Sequence, residues 1–422
     1  MTDSIMGNGS AVHESPFTPL IALEQDIRRF RPDVTCNTVI EHAWSIGASD
    51  IFIATGPDNV DISVRHLGVV KHISSLPGEA GRRLMAFIRA LAGMDTVERR
   101  VPLDGRWTRK LADGHYIDLR LCMMPTIHGE SFAIRILDSR SQLRPLDQLG
   151  LVGPQLGLLE QLLRSPSGLI IVCGPTGAGK TTTLYSCLQQ LNDGRRKIHT
   201  IEDPVEYSIP GLRQSQVDEN NGTDFYQLLR SVLRQGPDVI MIGEIRDKAT
   251  AETAVRAANS GQLVFATLHA PVAAAALQSM LSQGIAPHFL CTSVLGVIGQ
   301  RLLRTLSPVS RLPMDMSAAP EIFSEVRQYL PKDSGTTIYA ANDDEPDGGY
   351  IGRTGVFEIM KITPRIRASL AAYEPAGAIA AKAIEEGMLD FRRAALIKVA
   401  LGITSFDEVS RVVPSGDTWV DD

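Results

Sequence analysis

A glycine-rich segment followed by lysine and threonine most constrains how this 422-residue chain can fold. Residues 174–181 read GPTGAGKT and match the spacing G-x-x-x-x-G-K-[ST]. The apolar run Leu169–Cys173 precedes the segment, and a helix-forming run, Thr181–Leu191, follows it. Glycines let backbone amides converge on phosphate oxygens without a Cβ atom in the way. The segment therefore predicts a strand, a phosphate-binding loop and a helix whose amino terminus faces an anion.

The loop residues then take roles in binding a nucleoside triphosphate. Lys180 is expected to reach the β- and γ-phosphates, and the Thr181 hydroxyl is expected to bind Mg²⁺. The predicted nucleotide contacts in this segment are Gly174, Pro175, Thr176, Gly177, Ala178, Gly179, Lys180, Thr181 and Thr182.

Three further side chains follow predicted strands of the same domain. Glu244 comes shortly after the buried strand Val239–Ile242, Glu202 follows His199–Ile201, and His269 follows the strand Leu263–Leu268. Ligands of open α/β sheets bind at the carboxyl ends of strands, and hydrolysis needs a carboxylate near Mg²⁺ and a group that positions water. The alternatives are a surface charge or helix cap for each acid and a structural role for His269.

The periodicity predicts an α/β protein of several segments. Strand and helix patterns alternate after residue 150, which implies a mostly parallel sheet. The apolar stretch Phe289–Leu303 is interpreted as a buried helix, and Thr404 as the cap of the last helix. The predicted segments are a flexible leader (1–37), a small α+β domain (38–140), a linker (141–150), a strand–helix core (151–305) and a mostly helical C-terminal subdomain (306–422).

Composition limits the classes of function. The 42 Lys and Arg residues against 48 Asp and Glu residues give a formal net charge of −6, which argues against a general nucleic-acid binder. The five cysteines include no C-x-x-C pair, so no zinc site is predicted, and scattered thiols are typical of a reducing cytosol. Because no run of about 18 apolar residues occurs, any membrane association is expected to come through partners or a surface of the protein.

Four segments resemble the secretion ATPase superfamily, and more narrowly its branch that powers type II secretion and type IV pilus assembly. They are GPTGAGKTTT (174–183), TIEDPVEY (200–207), GPDVIMIGEIRD (236–247) and AETAVRAANSGQLVFATLH (251–269), in the family's order. Similar positions extend over residues 38–413. The resemblance implies a hexameric ring of subunits, each with an N-terminal PAS-like α+β domain, a RecA-like P-loop motor domain and a helical C-terminal segment. It also implies that ATP binds between the two domains.

The resemblance assigns roles to individual residues. It implies that Glu202 lies in the aspartate box, that Glu244 is the Walker B glutamate and that His269 lies in the histidine box. Glu202 and Glu244 together would handle Mg²⁺ and the attacking water, and either can be the base. The arginines that match phosphate-sensing positions are Arg106 and Arg120 in the first domain and Arg230, Arg234 and Arg246 in the motor domain. For each arginine, an exposed ion pair is the alternative.

The sequence also departs from the family pattern. The first of two zinc-binding C-x-x-C pairs of larger members falls at 307–310, which reads SPVS, and the second histidine of the histidine box is Gln262. The segment before residue 38 is expected to be too short for the extra N-terminal domain with which many relatives dock on a membrane partner.

Three functions remain open at this point. The first is a cytoplasmic hexameric motor, peripheral at the inner membrane, that hydrolyses ATP and moves pilin-like subunits through an inner-membrane platform protein. The second is a nucleic-acid translocase of the conjugation type, which the acidic total disfavours. The third is a regulator that binds ATP without turnover. It is considered because Gln262 replaces the second histidine of the histidine box.

Overall fold

The computed structural model places the described residues in two units of different architecture. The described residues are 30–98, 100–138, 143–218, 221–345 and 347–413. One unit lies within residues 1–139 together with 343–348, and the other lies within 140–342 and 349–422. The predicted leader lies outside the described residues up to residue 29, and from Pro32 onward it forms part of the first helix rather than a leader.

The first unit is an antiparallel sheet with two helices packed on it. Its elements are α1 (Pro32–Ser45), β1 (Asp50–Thr55), β2 (Asn59–His66), β3 (Val69–Pro77), α2 (Gly78–Leu91), β4 (Leu103–Lys110), β5 (Tyr116–Thr126) and β6 (Gly129–Asp138). Among the described residues the strand order is β3-β2-β1-β6-β5-β4. Val60, Ile62 and Val64 of β2 are buried in the same core as the helices, whereas the residues between them are not. This alternation has the period of a half-buried strand, and the α+β prediction is confirmed.

The second unit alternates strands and helices along most of its length. Its elements are α3 (Gln155–Leu163), β7 (Gly168–Cys173), α4 (Lys180–Leu191), β8 (Ile198–Glu202), β9 (Arg213–Gln216), α5 (Phe225–Leu233), β10 (Val239–Ile242), α6 (Lys248–Asn259), β11 (Leu263–Leu268), α7 (Ala273–Ser282), α8 (Pro287–Ser293), β12 (Val294–Leu306), β13 (Leu312–Asp315), β14 (Thr337–Ala340), β15 (Tyr350–Lys361), α9 (Pro364–Ala371), α10 (Ala376–Glu385), α11 (Phe391–Ala400) and α12 (Phe406–Val412).

A mixed sheet with a parallel centre organises this unit. Within the described residues the strand order is β15-β12-β7-β11-β10-β8-β9, parallel throughout except that β15 runs antiparallel to β12. Every residue of β7 and β11 is buried, because apolar clusters cover both faces of the sheet. The carboxyl ends of β7, β8, β10 and β11 therefore meet at one edge, directly before the predicted site residues.

The stretch Phe289–Leu303 is not a single buried helix, so that prediction is wrong. The short helix α8 ends at Ser293, and β12 then runs from Val294 to Leu306 between β7 and β15. A strand in this position is covered on both faces, so its sequence loses the apolar–polar alternation that identifies a half-buried strand. By periodicity alone, the apolar run in 289–303 therefore could not be distinguished from a buried helix.

The C-terminal part is helical only in its second half. Three strands, β13 to β15, lie before Pro364, and β15 completes the central sheet, so the motor core does not end at residue 305. Helices α9 to α12 follow, and Ser405, not Thr404, caps α12 by accepting a hydrogen bond from Glu408 N at 3.2 Å. The predicted linker 141–150 is also partly built into the core, because Leu146 and Leu149 are buried.

Candidate functional site

The segment after β7 folds as the predicted phosphate-binding loop. Gly174 has φ 150° and Gly179 has φ 89°, conformations that glycine adopts at the lowest cost. Helix α4 begins at Lys180, and Gly179, which precedes it, supplies no side-chain cap. The first amides of α4 have no partner within the helix itself, and they favour a bound anion.

Lys180 lies over the loop that it follows. Its Nζ atom donates hydrogen bonds to the carbonyl oxygens of Gly174 at 2.9 Å and Pro175 at 3.0 Å. Burial lowers the pKa of this ammonium, and the nearby Glu244 carboxylate opposes that effect. A charged donor held by neutral carbonyls gains when phosphate oxygens replace them. The loop, the amino end of α4 and Lys180 therefore fit the phosphates of a nucleotide.

The other predicted loop residues differ in their exposure to solvent. Pro175, Thr176 and Gly177 are exposed at the tip, whereas Ala178 is buried beneath it. Half-buried hydroxyls follow in the first turn of α4, at Thr181 and Thr182.

Charged side chains from three strand ends form a cluster at the carboxyl edge of the sheet. Glu244 Oε1 lies 2.8 Å from His269 Nε2, and Glu244 Oε2 accepts a hydrogen bond from Arg246 Nε at 2.5 Å. Arg246 Nη1 in turn lies 3.2 Å from Asp203 Oδ2. The hydrogen bond to Glu244 raises the pKa of the Arg246 guanidinium. The side chain of Glu244 is 19% exposed, so its oriented carboxylate is accessible to water.

Backbone contacts between neighbouring strands hold this cluster in place. Gly243 N donates to Ile201 O at 2.7 Å, which joins the ends of β10 and β8. Ile245 N donates to Thr267 O at 3.0 Å, and the Thr267 hydroxyl donates to Gly243 O, which joins the ends of β10 and β11. Glu244 and His269 consequently project from a hydrogen-bonded rim rather than from free loops.

Glu202 lies in a different environment from Glu244. It is the last residue of β8 and is 3% exposed. One carboxylate oxygen accepts a hydrogen bond from the Tyr185 hydroxyl, and the other accepts from Thr200 and, at 3.2 Å, from Gln214 Nε2. Burial raises the pKa of Tyr185, and the hydrogen bond to Glu202 raises it further. Among the contacts of the described residues, the two carboxylates share no hydrogen-bond partner, and their joint action on Mg²⁺ and the attacking water stays a prediction.

Two of the motor-domain arginines lie away from the loop. Helix α5 starts at the carboxyl edge, where Phe225 lies near Gly243. It ends at Leu233, and Arg234 follows it, five residues before β10 begins at Val239, so Arg230 and Arg234 lie towards the opposite edge. Arg234 Nη2 donates to a serine hydroxyl one turn earlier, at 3.2 Å. Within the second unit, only Arg246 of the three predicted arginines joins the Glu244 cluster.

The two arginines of the first unit are neighbours on its sheet. Arg106 of β4 pairs in register with Arg120 of β5. Arg106 Nε donates to Asp118 Oδ1 at 2.7 Å, and Arg120 Nε lies 3.7 Å from the other oxygen of the same carboxylate. Asp118 therefore holds both guanidinium groups on one face of the sheet.

Sequence reasoning missed several polar residues that shape the site. Tyr185 and Thr200 orient Glu202, and Asp118 orients two arginines, but no motif spacing signals these contacts because they depend on tertiary structure. Gln300 lies within the range 38–413 that is similar to the family, but the resemblance assigns it no role. None of the helices within the described residues is both long and apolar enough to cross a membrane.

Comparison with known proteins identifies the family. Residues 28–411 match the family model described as type II/IV secretion system protein. The chain is 38% identical over 378 residues to type II secretion system protein E of Dickeya dadantii, covering 89% of this chain and 74% of the relative. It is also 38% identical over 382 residues to the type IV pilus assembly ATPase PilB of Acinetobacter baylyi, covering 89% of this chain and 65% of that protein.

Solved structures have the same fold. The Legionella pneumophila ATPase DotB superposes with a TM-score of 0.65 at 21% identity, covering 91% of this chain and 96% of DotB. The pilus retraction motor PilT with bound ADP superposes with a TM-score of 0.53 at 25% identity, covering 84% and 94%. The chain therefore belongs to the type II/IV secretion system protein family, and it is an ATP hydrolase with a RecA-like P-loop motor domain.

Proposed function

We propose that this chain is a cytoplasmic, homohexameric motor that couples ATP hydrolysis to pilin or pseudopilin assembly, or to protein secretion, in a type II secretion or type IV pilus machine. The observation that carries the proposal is the Glu244–His269 pair at the edge where the phosphate-binding loop also lies. One of the two relatives named above is a type II secretion protein and the other is a type IV pilus assembly ATPase, and each is 38% identical to this chain. An inner-membrane platform protein is the proposed partner, and it would hold the motor at the membrane surface.

The reaction begins with the triphosphate on the loop amides. Lys180 exchanges the carbonyls of Gly174 and Pro175 for β- and γ-phosphate oxygens, and its charge then offsets the charge that spreads over the transferred phosphoryl group. The Thr181 hydroxyl and the Glu244 carboxylate are hard oxygen donors of the kind that Mg²⁺ takes. When bound, Mg²⁺ supplies positive charge at the phosphate oxygens.

Glu244 is the stronger candidate for orienting the attacking water. Both of its oxygens are fixed, one by His269 and one by Arg246, yet the side chain remains partly exposed. His269 is 53% exposed and lies beside the same carboxylate, so a change in the phosphates would be transmitted to it through Glu244. Glu202 is buried and hydrogen-bonded on both oxygens, which fits a role in holding the end of β8. A direct role of Glu202 at Mg²⁺ stays a prediction.

The positions of Arg230 and Arg234 support an oligomer. Both are exposed near the sheet edge opposite the phosphate-binding loop of their own unit. A guanidinium contributes to phosphoryl transfer only when it reaches the phosphates. We therefore propose that these arginines act across a subunit interface in the hexamer, as do Arg106 and Arg120.

The replacement at Gln262 gives little reason to prefer a regulator without turnover. Gln262 immediately precedes β11, and its carbonyl accepts from Gly168 N at 3.0 Å at the amino end of the sheet. The six residues of β11 separate it from His269, a distance of about 20 Å. The substitution therefore lies far from the edge where hydrolysis would occur.

The test compares ATP hydrolysis by the wild type with two variants, after separation of assembly states by gel filtration. We expect slow, Mg²⁺-dependent hydrolysis that rises in the hexamer, and a loss of about 100-fold or more in Lys180→Ala and Glu244→Gln. Glu252→Gln is the matched control, because Glu252 is a half-buried glutamate on α6 that forms an ion pair with Lys248 on the same helix. Absence of hydrolysis in every assembly state, or wild-type rates in Lys180→Ala, would refute the proposal. Tight, salt-sensitive DNA binding would instead favour the translocase alternative.

A further inference from the structure

We propose that Gln300 is a positioning residue for the nucleotide site, whose side chain and carbonyl hold both ends of the phosphate-binding loop in the conformation that receives phosphates. The inference rests on the proposed binding of ATP in that loop and adds a residue from outside the loop to the site.

Gln300 is placed beside the loop by the sheet. Strand β12 runs parallel to β7, and Gly299 pairs with Cys173, the last residue of β7. The residues that come next along the chain, Gln300 in β12 and Gly174 after β7, therefore lie side by side. The side chain of Gln300 is 2% exposed, and a buried amide is retained at low cost only when it is hydrogen-bonded.

The contacts of Gln300 reach three parts of the loop and its helix. Its Oε1 atom accepts a hydrogen bond from the Thr183 hydroxyl at 2.7 Å, and Thr183 is fully buried in the first turn of α4. Its Nε2 atom lies 2.8 Å from the position that a Cβ atom on Gly179 would take. Its main-chain oxygen borders Gly174 so closely that a Cβ atom there would clash with it.

These contacts matter because the loop is otherwise easy to deform. Glycines at both of its ends lose the most conformational entropy when they are fixed, and the amides converge on phosphate only in one conformation. Gln300 fills the space against Gly174 and Gly179 and ties that packing to α4 through Thr183. A site that is ordered before the ligand arrives binds more tightly than one that must be ordered by the ligand.

Removal of the amide is therefore expected to weaken nucleotide binding. In Gln300→Ala the buried Thr183 hydroxyl loses its partner and a gap opens beside Gly179. We expect the Kd for a fluorescent ADP analogue and the KM for ATP to rise about tenfold. We expect kcat at saturating ATP to change by about twofold or less, because the groups that act on water are untouched.

A second variant separates positioning from bulk packing. Gln300→Met nearly keeps the volume of the side chain but removes the acceptor for Thr183. Its affinity for the ADP analogue should fall about as far as that of Gln300→Ala, because the buried Thr183 hydroxyl loses its partner in both variants. A role confined to packing would leave the affinity of Gln300→Met close to that of the wild type.

Gln155 provides the matched control. It is a buried glutamine, 3% exposed, whose Nε2 atom donates to Phe357 O at 2.7 Å on the same sheet but outside the loop. Gln155→Ala should lower thermal stability about as much as Gln300→Ala while leaving nucleotide affinity within about twofold of the wild type. Equal effects of the two variants on nucleotide affinity, or no effect of Gln300→Ala, would overturn the inference.

Lys180→Ala, measured in parallel, distinguishes a failure of the proposed role of Gln300 from a failure of the proposed nucleotide site. If Lys180→Ala loses ADP binding while Gln300→Ala does not, only the role of Gln300 is refuted. If both variants bind ADP like the wild type, the nucleotide site itself is refuted, and the inference fails with it.

Discussion

A lysine buried in helix α11 gives the most quantitative prediction for the stability of this protein. Lys398 is 1% exposed, and its Nζ atom donates to the Thr354 hydroxyl at 3.2 Å. Within the described residues, no carboxylate lies within ion-pair distance of it. Burial lowers the pKa of this ammonium from 10.5 to about 8. The folded state therefore holds the proton less tightly than the unfolded state does.

The size of the effect follows from that difference. Each tenfold change in proton affinity corresponds to about 1.4 kcal/mol, so the fall from 10.5 to about 8 corresponds to about 3 kcal/mol of destabilisation at pH 7. Lys398→Met removes the charge and nearly keeps the volume. It also removes the hydrogen bond to Thr354, which costs about 1 kcal/mol. The expected net gain in the free energy of unfolding is about 2 kcal/mol.

The sign of the pH dependence distinguishes this explanation from simple packing. Below pH 8 both states of the wild type carry the proton, and the cost of burying it is fully present. Between pH 8 and 10.5 the folded state loses the proton first, so wild-type stability rises with pH. The advantage of Lys398→Met should therefore shrink across this range.

Scanning calorimetry at pH 7 and pH 10 is a suitable assay. The melting transition of the second unit should shift upward by about 5 °C at pH 7 in Lys398→Met, and by much less at pH 10. Lys361→Met is the control, because Lys361 is exposed on β15 and its replacement should change stability by about 0.5 kcal/mol or less. A destabilised Lys398→Met at pH 7, or an advantage that does not change with pH, would refute the reasoning.

Three further predictions concern other parts of the chain. Burial raises the pKa of Glu408, but hydrogen bonds from two arginines, one of them Arg304, hold that pKa below its usual value. The free energy of unfolding should therefore fall as the pH drops below about 4.5. Glu408→Gln should cost about 3 kcal/mol in a denaturation series and remove this acid dependence. Thiol titration of the native protein should label the exposed Cys122 first. Burial raises the pKa of Cys187 to about 12, so Cys187 should react only after unfolding. Rapid labelling of Cys187 in the native protein would contradict the described packing. His269→Ala should lower kcat about tenfold or more while changing the KM for ATP by about twofold or less, and unchanged turnover would exclude the proposed role of the His269–Glu244 contact in hydrolysis.

The parts of the fold that follow local rules were predictable. The strand Leu169–Cys173, the glycine loop and helix α4 are determined by residues that are close in sequence, and the structure has all three. Strand β12 was not predictable in the same way, because its apolar residues reflect its position between β7 and β15. Burial on both faces is a tertiary fact, and it removes the period-2 signal that a single sequence can show.

The candidate site shows the same division. The strand-end positions of Glu244 and His269 followed from the rule that ligands meet the carboxyl edge of a parallel sheet. The rule could not show that Glu202 is hydrogen-bonded to Tyr185, because the last residue of a strand can face either side of the sheet. It also could not find Gln300, whose hydrogen bond with Thr183 of α4 joins residues that are 117 positions apart in the sequence.

The central claim, that a nucleoside triphosphate bound on the loop after β7 is cleaved with the help of Glu244, is tested most directly by a single-turnover measurement. Glu244→Gln protein in excess is mixed with radiolabelled ATP and Mg²⁺, and bound ATP, bound ADP and free phosphate are separated over time. We predict that the variant retains ATP with about wild-type affinity but leaves it uncleaved over many wild-type turnover times. Cleavage at the wild-type rate, or loss of ATP binding by a folded variant, would contradict the account.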